Sequence, residues 1–269
     1  MELSHSYACQ FLPHLTGLST MAFVRYLFAF LVLTSSMVQS YAANPTAEEI
    51  IEKARAAVAK EAKFLERVKG LHFEIKFIDA ENKPLSFSII QLIGPKSRRE
   101  ISYNGNYTVE VVTACNGLEG WRSTRELTGQ KRTQNQIIPF DQVAVLTDMT
   151  INDLAFYSAP AKGTGTVSYI GTDEINGKKV HSIEYKFNSG FKIIRHFGVN
   201  NFELVAYDQK NPKGEVYRQQ VEETSWIEGI CFVKRETILV NGKKYAEATY
   251  EKTSVNPEVS PNSFAFPIR

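Results

Sequence analysis

The sequence has little of what most enzymes and metalloproteins need. Its 269 residues include three cysteines and five histidines, and no cysteine stands in a Cys-x-x-Cys or other metal-ligand spacing. It also has no Gly-x-Ser-x-Gly elbow, no Walker phosphate loop and no His-Glu-x-x-His zinc motif. We therefore predict that the protein is not an enzyme and that it needs neither a metal nor a cofactor.

The chain also lacks an excess of charge of one sign. Its 31 Lys and Arg residues balance 29 Asp and Glu residues, and no block of like charge stands out. This balance predicts that nucleic acid is not a partner. Linkers rich in Pro, Gly or Ser are missing too, so one domain over residues 43–269 is the simplest interpretation.

No apolar run reaches the roughly 20 residues of a transmembrane helix, but a shorter run lies near the N-terminus. A single Arg precedes the apolar residues 26–33, and small residues follow as far as Ala42. This pattern is typical of a secretory signal peptide cleaved near Ala42, with a membrane anchor as the alternative. We predict that residues 1–42 are an upstream extension and signal peptide, and that Met21 is the true start.

Cys115 and Cys231 remain after such a cleavage. In an oxidising compartment they can form a disulfide, which stabilises a chain by several kcal/mol when it closes a long loop. Two unpaired thiols are an equal alternative, because cysteine is among the most buried residue types.

An amphipathic helix is predicted at the start of residues 43–269. Thr46 and Glu49 have the capping-box spacing, and apolar residues recur at helical spacing from Ile50 to Val68. Gly70 ends the pattern. We expect one helix whose apolar stripe packs on the rest of the domain.

After Gly70 the hydrophobic period changes from 3.6 to 2, which is typical of strands. Short extended runs follow one another, separated by two-residue turn sequences. These turns are Asn104-Gly105, Asn116-Gly117, Asn176-Gly177, Glu228-Gly229 and Asn241-Gly242. We predict a mainly β (α+β) fold in which about 11–13 antiparallel strands form a curved sheet or unclosed β-barrel.

The alternation stops between Pro139 and Ala159, where apolar residues recur at helical spacing. We expect one or two short helices here, followed by a hinge at residues 160–163. A barrel of this size is too wide for its own side chains to fill, so the helices are expected to cover an apolar cavity. Short helices depend on docking, and we predict that residues 139–159 act as a moving lid.

The alternating apolar positions supply candidate residues for the lining of that cavity. They are Phe73, Ile75, Phe77, Phe87, Ile89, Val109, Val111 and Trp121 on the strands, with Leu154 and Phe156 in the lid. Periodicity does not distinguish a cavity from a filled core, so a filled core is the alternative. A cavity with this lining suffices for lipid binding, because each buried CH₂ contributes about 0.8 kcal/mol.

Few polar residues point to catalysis. His72 and His181 lie on predicted strands, where the solvent-facing side is the favoured position. Asp141, Asp148 and Asp153 lie near one another in the helical segment, as in a hydrolase with paired carboxylates. For Asp148 and Asp153 a helix N-cap or a solvated side chain is the favoured interpretation.

Several short motifs occur in a familiar order. Pro95 and Arg99 form a Pro-x-x-x-Arg segment, Gly117 lies in a turn that precedes the strand residue Trp121, and residues 262–267 close the chain with Phe-x-Phe-Pro. In this order the chain resembles the LolA-like family, the periplasmic carriers that take lipoproteins towards the outer membrane. Gly94 departs from the pattern, since well-studied carriers have there a basic residue tied to handing the cargo onward.

The resemblance implies an unclosed antiparallel barrel capped by helices, with a hydrophobic cavity for acyl chains. It also implies a soluble, monomeric protein of the periplasm that meets an inner-membrane release complex and an outer-membrane acceptor. We therefore expect a periplasmic carrier of lipoprotein acyl chains or lipids. The alternative is a non-enzymatic envelope module with the same fold and a structural or stress-sensing role.

Overall fold

Thirteen strands among the described residues pair into one antiparallel sheet that does not close into a barrel. The structure is a computed structural model and describes residues 44–103, 108–211 and 213–267. The strands are β1 (Gly70–Asp79), β2 (Pro84–Ile93), β3 (Lys96–Tyr103), β4 (Val109–Cys115), β5 (Gly120–Glu126), β6 (Thr133–Ile137), β7 (Gly165–Ile175), β8 (Lys178–Phe187), β9 (Lys192–Gly198), β10 (Leu204–Lys210), β11 (Val216–Ile227), β12 (Ile230–Val240) and β13 (Lys243–Val255). The predicted mainly β fold is confirmed. The predicted signal peptide, Met21, Ala42 and the Asn104-Gly105 turn lie outside the described residues.

The strand order places β1 and β13 side by side in the middle of the sheet. From β1 the chain runs outward through neighbouring strands to β6 at one edge, and it returns from β7 at the other edge to β13. Leu71 pairs with Val255 and Asp79 pairs with Ala246 along the central seam. Two meanders are therefore joined where the first and last strands meet.

Asn256 fixes the chain at this seam. Its Oδ1 accepts hydrogen bonds from the backbone N–H groups of Lys69 at 2.6 Å and Gly70 at 3.2 Å, and its Nδ2 donates to the carbonyl of Arg67 at 3.0 Å. Its own backbone N–H donates to the carbonyl of Gly70 at 2.9 Å. One side chain thus sets where β1 begins relative to the end of β13.

The opening helical segment is two helices, and the prediction of one helix is wrong. α1 (Ala47–Val58) begins with the predicted Thr46–Glu49 capping box, and α2 (Ala62–Glu66) follows after a break. At the break Ala59 is extended and pairs with Ile230, and the N–H of Lys60 donates to the carbonyl of Gly229 at 2.9 Å. Backbone pairing with the β11–β12 turn therefore replaces the helical hydrogen bonds that the local sequence favours.

The mid-chain segment contains one continuous helix, α3 (Phe140–Leu154), which links the two edge strands β6 and β7. α3 contacts β2, β3 and β4, whereas α1 packs on β8 and β9 through a cluster that includes Ile50, Ala54, Ile183 and Phe197. The two helices thus cover opposite halves of the sheet. None of the helices in the described part of the chain is long and apolar enough to cross a membrane.

Asn176-Gly177, Glu228-Gly229 and Asn241-Gly242 are two-residue hairpin turns, as predicted. The prediction is wrong for Asn116-Gly117, which belongs to a four-residue turn: the N–H of Asn116 donates to the carbonyl of Glu119 at 2.9 Å, and only Gly117 has a positive φ. Asn176 and Gly177 have φ values of 51° and 75°, and Asn241 and Gly242 have 49° and 81°, as type I′ hairpin turns require. Strand β6 has no counterpart among the predicted strands, because Thr-Gln-Asn-Gln-Ile shows no apolar alternation.

We expect Asn256→Ala to lower the free energy of unfolding by about 2–3 kcal/mol, at about 1 kcal/mol for each of its three side-chain hydrogen bonds. Asn82→Ala is the matched control, because Asn82 also has a positive φ, 63° against 50° for Asn256, and lies exposed in a turn. Urea unfolding of both variants measures the difference. Equal losses of stability would mean that only the backbone conformation of Asn256 matters.

Candidate functional site

A cavity of about 380 Å³ lies between the inner face of the sheet and the C-terminal end of α3. Its apolar wall includes Val58, Leu71, Phe73, Ile75, Phe77, Ile90, Leu92, Met149, Phe156, Phe232 and Ile238. This volume lies in the lower part of the range of about 300–1,000 Å³ for small-molecule sites, which are also mostly apolar. The cavity is the candidate functional site.

Four of the predicted residues line this cavity: Phe73, Ile75 and Phe77 on β1, and Phe156 after α3. Leu154 packs against the same hydrophobic cluster as Phe156 without being part of the wall.

Val109 and Val111 lie on β4. A row of paired residues crosses the sheet from Val111 on β4 to Ile75 on β1, by way of Ile101 on β3 and Ser88 on β2. They therefore share the face of the cavity. Neither residue forms part of its wall, however.

The expectation that Phe87, Ile89 and Trp121 line the cavity is wrong. Ile89 pairs with Glu74 and Glu100, and Phe87 is two residues away on the same outer face. The indole Nε1 of Trp121 donates to the backbone carbonyl of Phe264 at 3.3 Å, in the C-terminal segment that packs there. Alternation shows that two faces differ, but it does not show which of them faces inward.

The structure brings the motif residues into contact in pairs. A Cβ atom at Gly117 would lie 3.1 Å from the Cβ of Pro95, so this turn needs a glycine, and φ at Gly117 is 96°. Trp121 packs edge-on against Phe266, with ring centroids 6.4 Å apart. These residues stabilise the turns and the chain end.

Three polar residues form one end of the cavity. Glu236 is 3% exposed, and its carboxyl group accepts hydrogen bonds from the phenol groups of Tyr207 at 3.0 Å and Tyr250 at 3.4 Å. Burial raises the pKa of Glu236 to about 7, and burial also raises the pKa of both tyrosines. Glu236 is therefore largely uncharged below neutral pH, while the phenols remain donors.

An ion pair joins the sheet to α3 at the cavity wall. Arg99 on β3 contacts Asp153 with Nη2 and Oδ2 3.3 Å apart, and both residues line the cavity. Arg99, which the motif pointed to, thus holds the last turn of α3 against the first half of the sheet.

Arg195 reaches the same turn from the other half of the sheet. Its Nη1 donates to Oδ1 of Asn152 at 3.0 Å, and its guanidinium lies over the rings of Tyr157 and Tyr185, at 5.2 and 4.7 Å from the centroids. Arg195 is 6% exposed and lines the cavity. The sequence does not single out Arg195, because an arginine between strand residues has no distinctive local pattern.

The residues after α3 have a strained backbone. Phe156 and Tyr157 have φ values of 44° and 70°, a region that costs bulky residues about 1–3 kcal/mol each. Nη1 of Arg55 donates to the carbonyls of Ala155 at 2.6 Å and Phe156 at 2.8 Å, and the Tyr185 phenol donates to the carbonyl of Tyr157 at 2.8 Å. These bonds hold the end of α3 in place.

The two cysteines are free thiols, so the disulfide alternative is wrong. Cys115 is buried, with its sulfur 3.5 Å from the Thr147 hydroxyl on α3. Cys231 is half-buried at the cavity wall, and burial raises the pKa of its thiol. The two residues lie on β4 and β12, in different halves of the sheet.

Of the two histidines predicted to face solvent, His72 and His181, the second is buried. His181 is 8% exposed, lies 3.3 Å from the Tyr169 phenol through Nδ1, and stacks on Phe202. The expectation of a solvent-facing His181 is therefore wrong, and burial lowers the pKa of its imidazole. His72 is half-buried and bonded to Glu74 at 3.1 Å.

The acidic residues of the helical segment do not gather at one point. Asp141 and Asp153 lie about 18 Å apart along α3, at 1.5 Å per residue, and Asp153 pairs with Arg99. Asp148 and Asp153 lie inside the helix, so the N-cap interpretation is wrong. No group of three or more His, Cys, Asp or Glu side chains within residues 44–103, 108–211 and 213–267 could hold a metal ion.

A second polar cluster lies on the outer face of β8–β11. Ser182 Oγ is 2.8 Å from His196 Nδ1, and His196 Nε2 is 3.3 Å from Asp208, which also accepts two hydrogen bonds from Arg218. Burial alone would raise the pKa of Asp208, but the bonds from Arg218 and His196 lower it to about 2. Ser182 and His196 are 4% and 3% exposed, so a substrate has no access to this serine.

Glu236 makes stability depend on pH in a defined direction. The pKa of Glu236 is about 7 in the folded protein and 4.5 in the unfolded chain, so the folded state holds its proton more tightly. The stability that this difference contributes is complete below pH 4.5 and is lost as the pH rises through 7. We expect Glu236→Gln to remove roughly 3 kcal/mol of this pH dependence between pH 4 and 8. Denaturant unfolding at both pH values tests this, with the exposed Glu222→Gln as control. A pH dependence in Glu236→Gln equal to that of the unchanged protein would contradict it.

No protein-family model matches the sequence, and no curated protein matches it. Solved structures do match its fold. They include a DUF1329 family protein from Desulfovibrio piger, which matches with a TM-score of 0.51 and 9% identity and covers 81% of this chain and 96% of its own. A putative outer membrane lipoprotein-sorting protein domain from Vibrio parahaemolyticus matches with a TM-score of 0.50 and 12% identity over 81% of this chain and 97% of that one.

A LolA superfamily protein from Nitrosomonas europaea matches with a TM-score of 0.50 and 13% identity, over 82% of this chain and 98% of the other. In each case nearly the whole neighbour and about four fifths of this chain are covered. The chain has a LolA-like fold.

Proposed function

We propose that the protein is a carrier that binds lipid or lipoprotein acyl chains in its cavity without covalent chemistry. The observation that carries this proposal is a cavity of about 380 Å³ with a mainly apolar wall, which lies between the sheet and the C-terminal end of α3. A chain of about twelve carbons would gain roughly 10 kcal/mol on burial there, before the costs of association are subtracted.

Lipoprotein acyl chains and free lipids are both candidate cargoes, and a solved structure with this fold, a putative outer membrane lipoprotein-sorting protein domain, supports the first. The apolar run before Ala42 supports a periplasmic location. The alternative role, an envelope structural or sensory module, needs a filled core, and the open volume under α3 favours the carrier. The buried state of Ser182 and the scattered carboxylates of α3 support a function without catalysis.

In this proposal α3 is the lid. It is the one connection between the two edge strands, so it can move without breaking the pairing of any strand. Its last turn is held by the Arg99–Asp153 ion pair and by the bonds from Arg55 and Tyr185. The strained backbone at Phe156 and Tyr157 opposes those bonds, which keeps the closed state only moderately stable.

Native mass spectrometry of protein purified without detergent tests the carrier function. We expect a lipid-sized adduct, uptake of the neutral dye N-phenyl-1-naphthylamine, and at least tenfold weaker dye binding in Phe156→Asp. Phe156 is 7% exposed and lines the cavity, whereas Phe140 at the other end of α3 is 77% exposed, so Phe140→Asp is the matched control. Absence of both adduct and dye uptake would remove the proposal.

The lid has its own test. We expect Arg99→Gln and Asp153→Asn each to accelerate dye release by up to about fivefold, because a partly exposed ion pair contributes up to about 1 kcal/mol. Stopped-flow fluorescence measures release, and hydrogen exchange measures protection of residues 139–159. Asp148→Asn on the same helix is the control. If these residues are as protected as the strands with and without ligand, the lid assignment is wrong.

A further inference from the structure

Arg195 is a buried cation that faces the cavity without a carboxylate partner. It is 6% exposed and lines the cavity, and no Asp or Glu lies within 4.0 Å of its guanidinium among the described residues. Buried charges in proteins are usually paired, because desolvating an unpaired charge is strongly unfavourable. Its contacts with Asn152 and two tyrosine rings compensate the charge only in part.

A second observation at the same turn of α3 also indicates a missing acceptor. Asn152 is 2% exposed, and its Nδ2 is buried without a hydrogen-bond partner, although its Oδ1 is occupied by Arg195. Nε of Arg99, on the opposite wall of the cavity, is likewise buried without a partner. Donors that lack acceptors thus come from both sides of the last turn of α3.

The carboxyl groups near this turn do not supply the missing acceptor. Asp153 is engaged by Arg99 at 3.3 Å, and Glu236 is bonded to Tyr207 and Tyr250. Burial raises the pKa of Glu236 to about 7, so at pH 6.5 this group adds little negative charge to the cavity. An anion from outside can therefore enter without strong repulsion.

We propose that the cavity takes a single-chain amphiphile with an anionic headgroup, such as a fatty acid, whose headgroup oxygens accept hydrogen bonds from the guanidinium of Arg195. The chain then lies along the apolar wall formed by Leu71, Phe73 and Ile75. A volume of about 380 Å³, low in the range for ligand sites, fits one chain better than several. This inference rests on the proposed function, and it adds the headgroup chemistry.

Displacement of N-phenyl-1-naphthylamine by dodecanoate and by dodecan-1-ol at pH 6.5 tests the inference. The two probes share a chain length and differ in charge. We expect dodecanoate to bind at least tenfold more tightly to the unchanged protein, because hydrogen bonds to a charged group are the stronger ones. Arg125→Gln, on the outer face of β5, is expected to retain this preference.

Asn152→Asp separates an anion site from a merely structural Arg195. It places a carboxylate of the protein against Arg195, so the contact that anchors α3 is kept while the place of the anion is taken. We expect the preference for dodecanoate to disappear, so that both probes bind with about the same affinity, and we expect dodecanol binding to stay unchanged. Arg195→Gln is expected to give the same loss of preference, with urea unfolding as the check on its stability.

Equal affinities of dodecanoate and dodecanol in the unchanged protein would overturn the anion site and leave the carrier function standing. A preference that survives in Asn152→Asp would overturn it as well, because Arg195 would then have only its structural contacts. If neither probe displaces the dye and the dye itself does not bind, the proposed function fails together with this inference.

Discussion

The pairing of β1 with β13 is the constraint on which the other features depend. It joins the first and last strands in the middle of the sheet, so both free edges fall on β6 and β7, which follow one another in the chain. The connection between them has to cross the open side of the sheet, and α3 is that connection. The place of the open edges and the position of α3 therefore have one cause. The cavity under α3 results from a sheet that curves without closing.

The parts of the fold that local chemistry determines were predictable from the sequence. Asn-Gly turns need positive φ at both positions, and the structure has it at Asn176-Gly177 and Asn241-Gly242. The break after Val58 was not predictable, because Ala59 and Lys60 favour a helix until the distant β11–β12 turn offers them backbone partners. Strand β6 was not predicted because Thr133–Ile137 shows no apolar alternation, and its strand conformation follows from its pairing with β5.

The site was predictable in part of its apolar wall and in Arg99, which belongs to the Pro-x-x-x-Arg motif. Phe73, Ile75 and Phe77 line the cavity as their alternation indicated, but Trp121 has the same pattern and packs under the C-terminal segment instead. Two other polar residues of the cavity, Arg195 and Glu236, were not predicted. A charged residue in a strand is usually solvated, and only the three-dimensional arrangement shows that Arg195 is buried against Asn152 of α3 and Glu236 against Tyr207 and Tyr250.

The central seam also has a consequence for how the molecule folds. Leu71 and Val255 are partners in the sheet although almost the entire domain separates them in sequence, so their contact closes a very long loop. Meanders on either side form from neighbouring strands, but β1 keeps an unpaired edge until β13 has paired with it. Folding with such non-local pairing is slow, and the apolar inner faces remain open to aggregation during that interval. The same topology that leaves a ligand cavity in the folded molecule thus exposes the folding chain to aggregation until its last strand has paired.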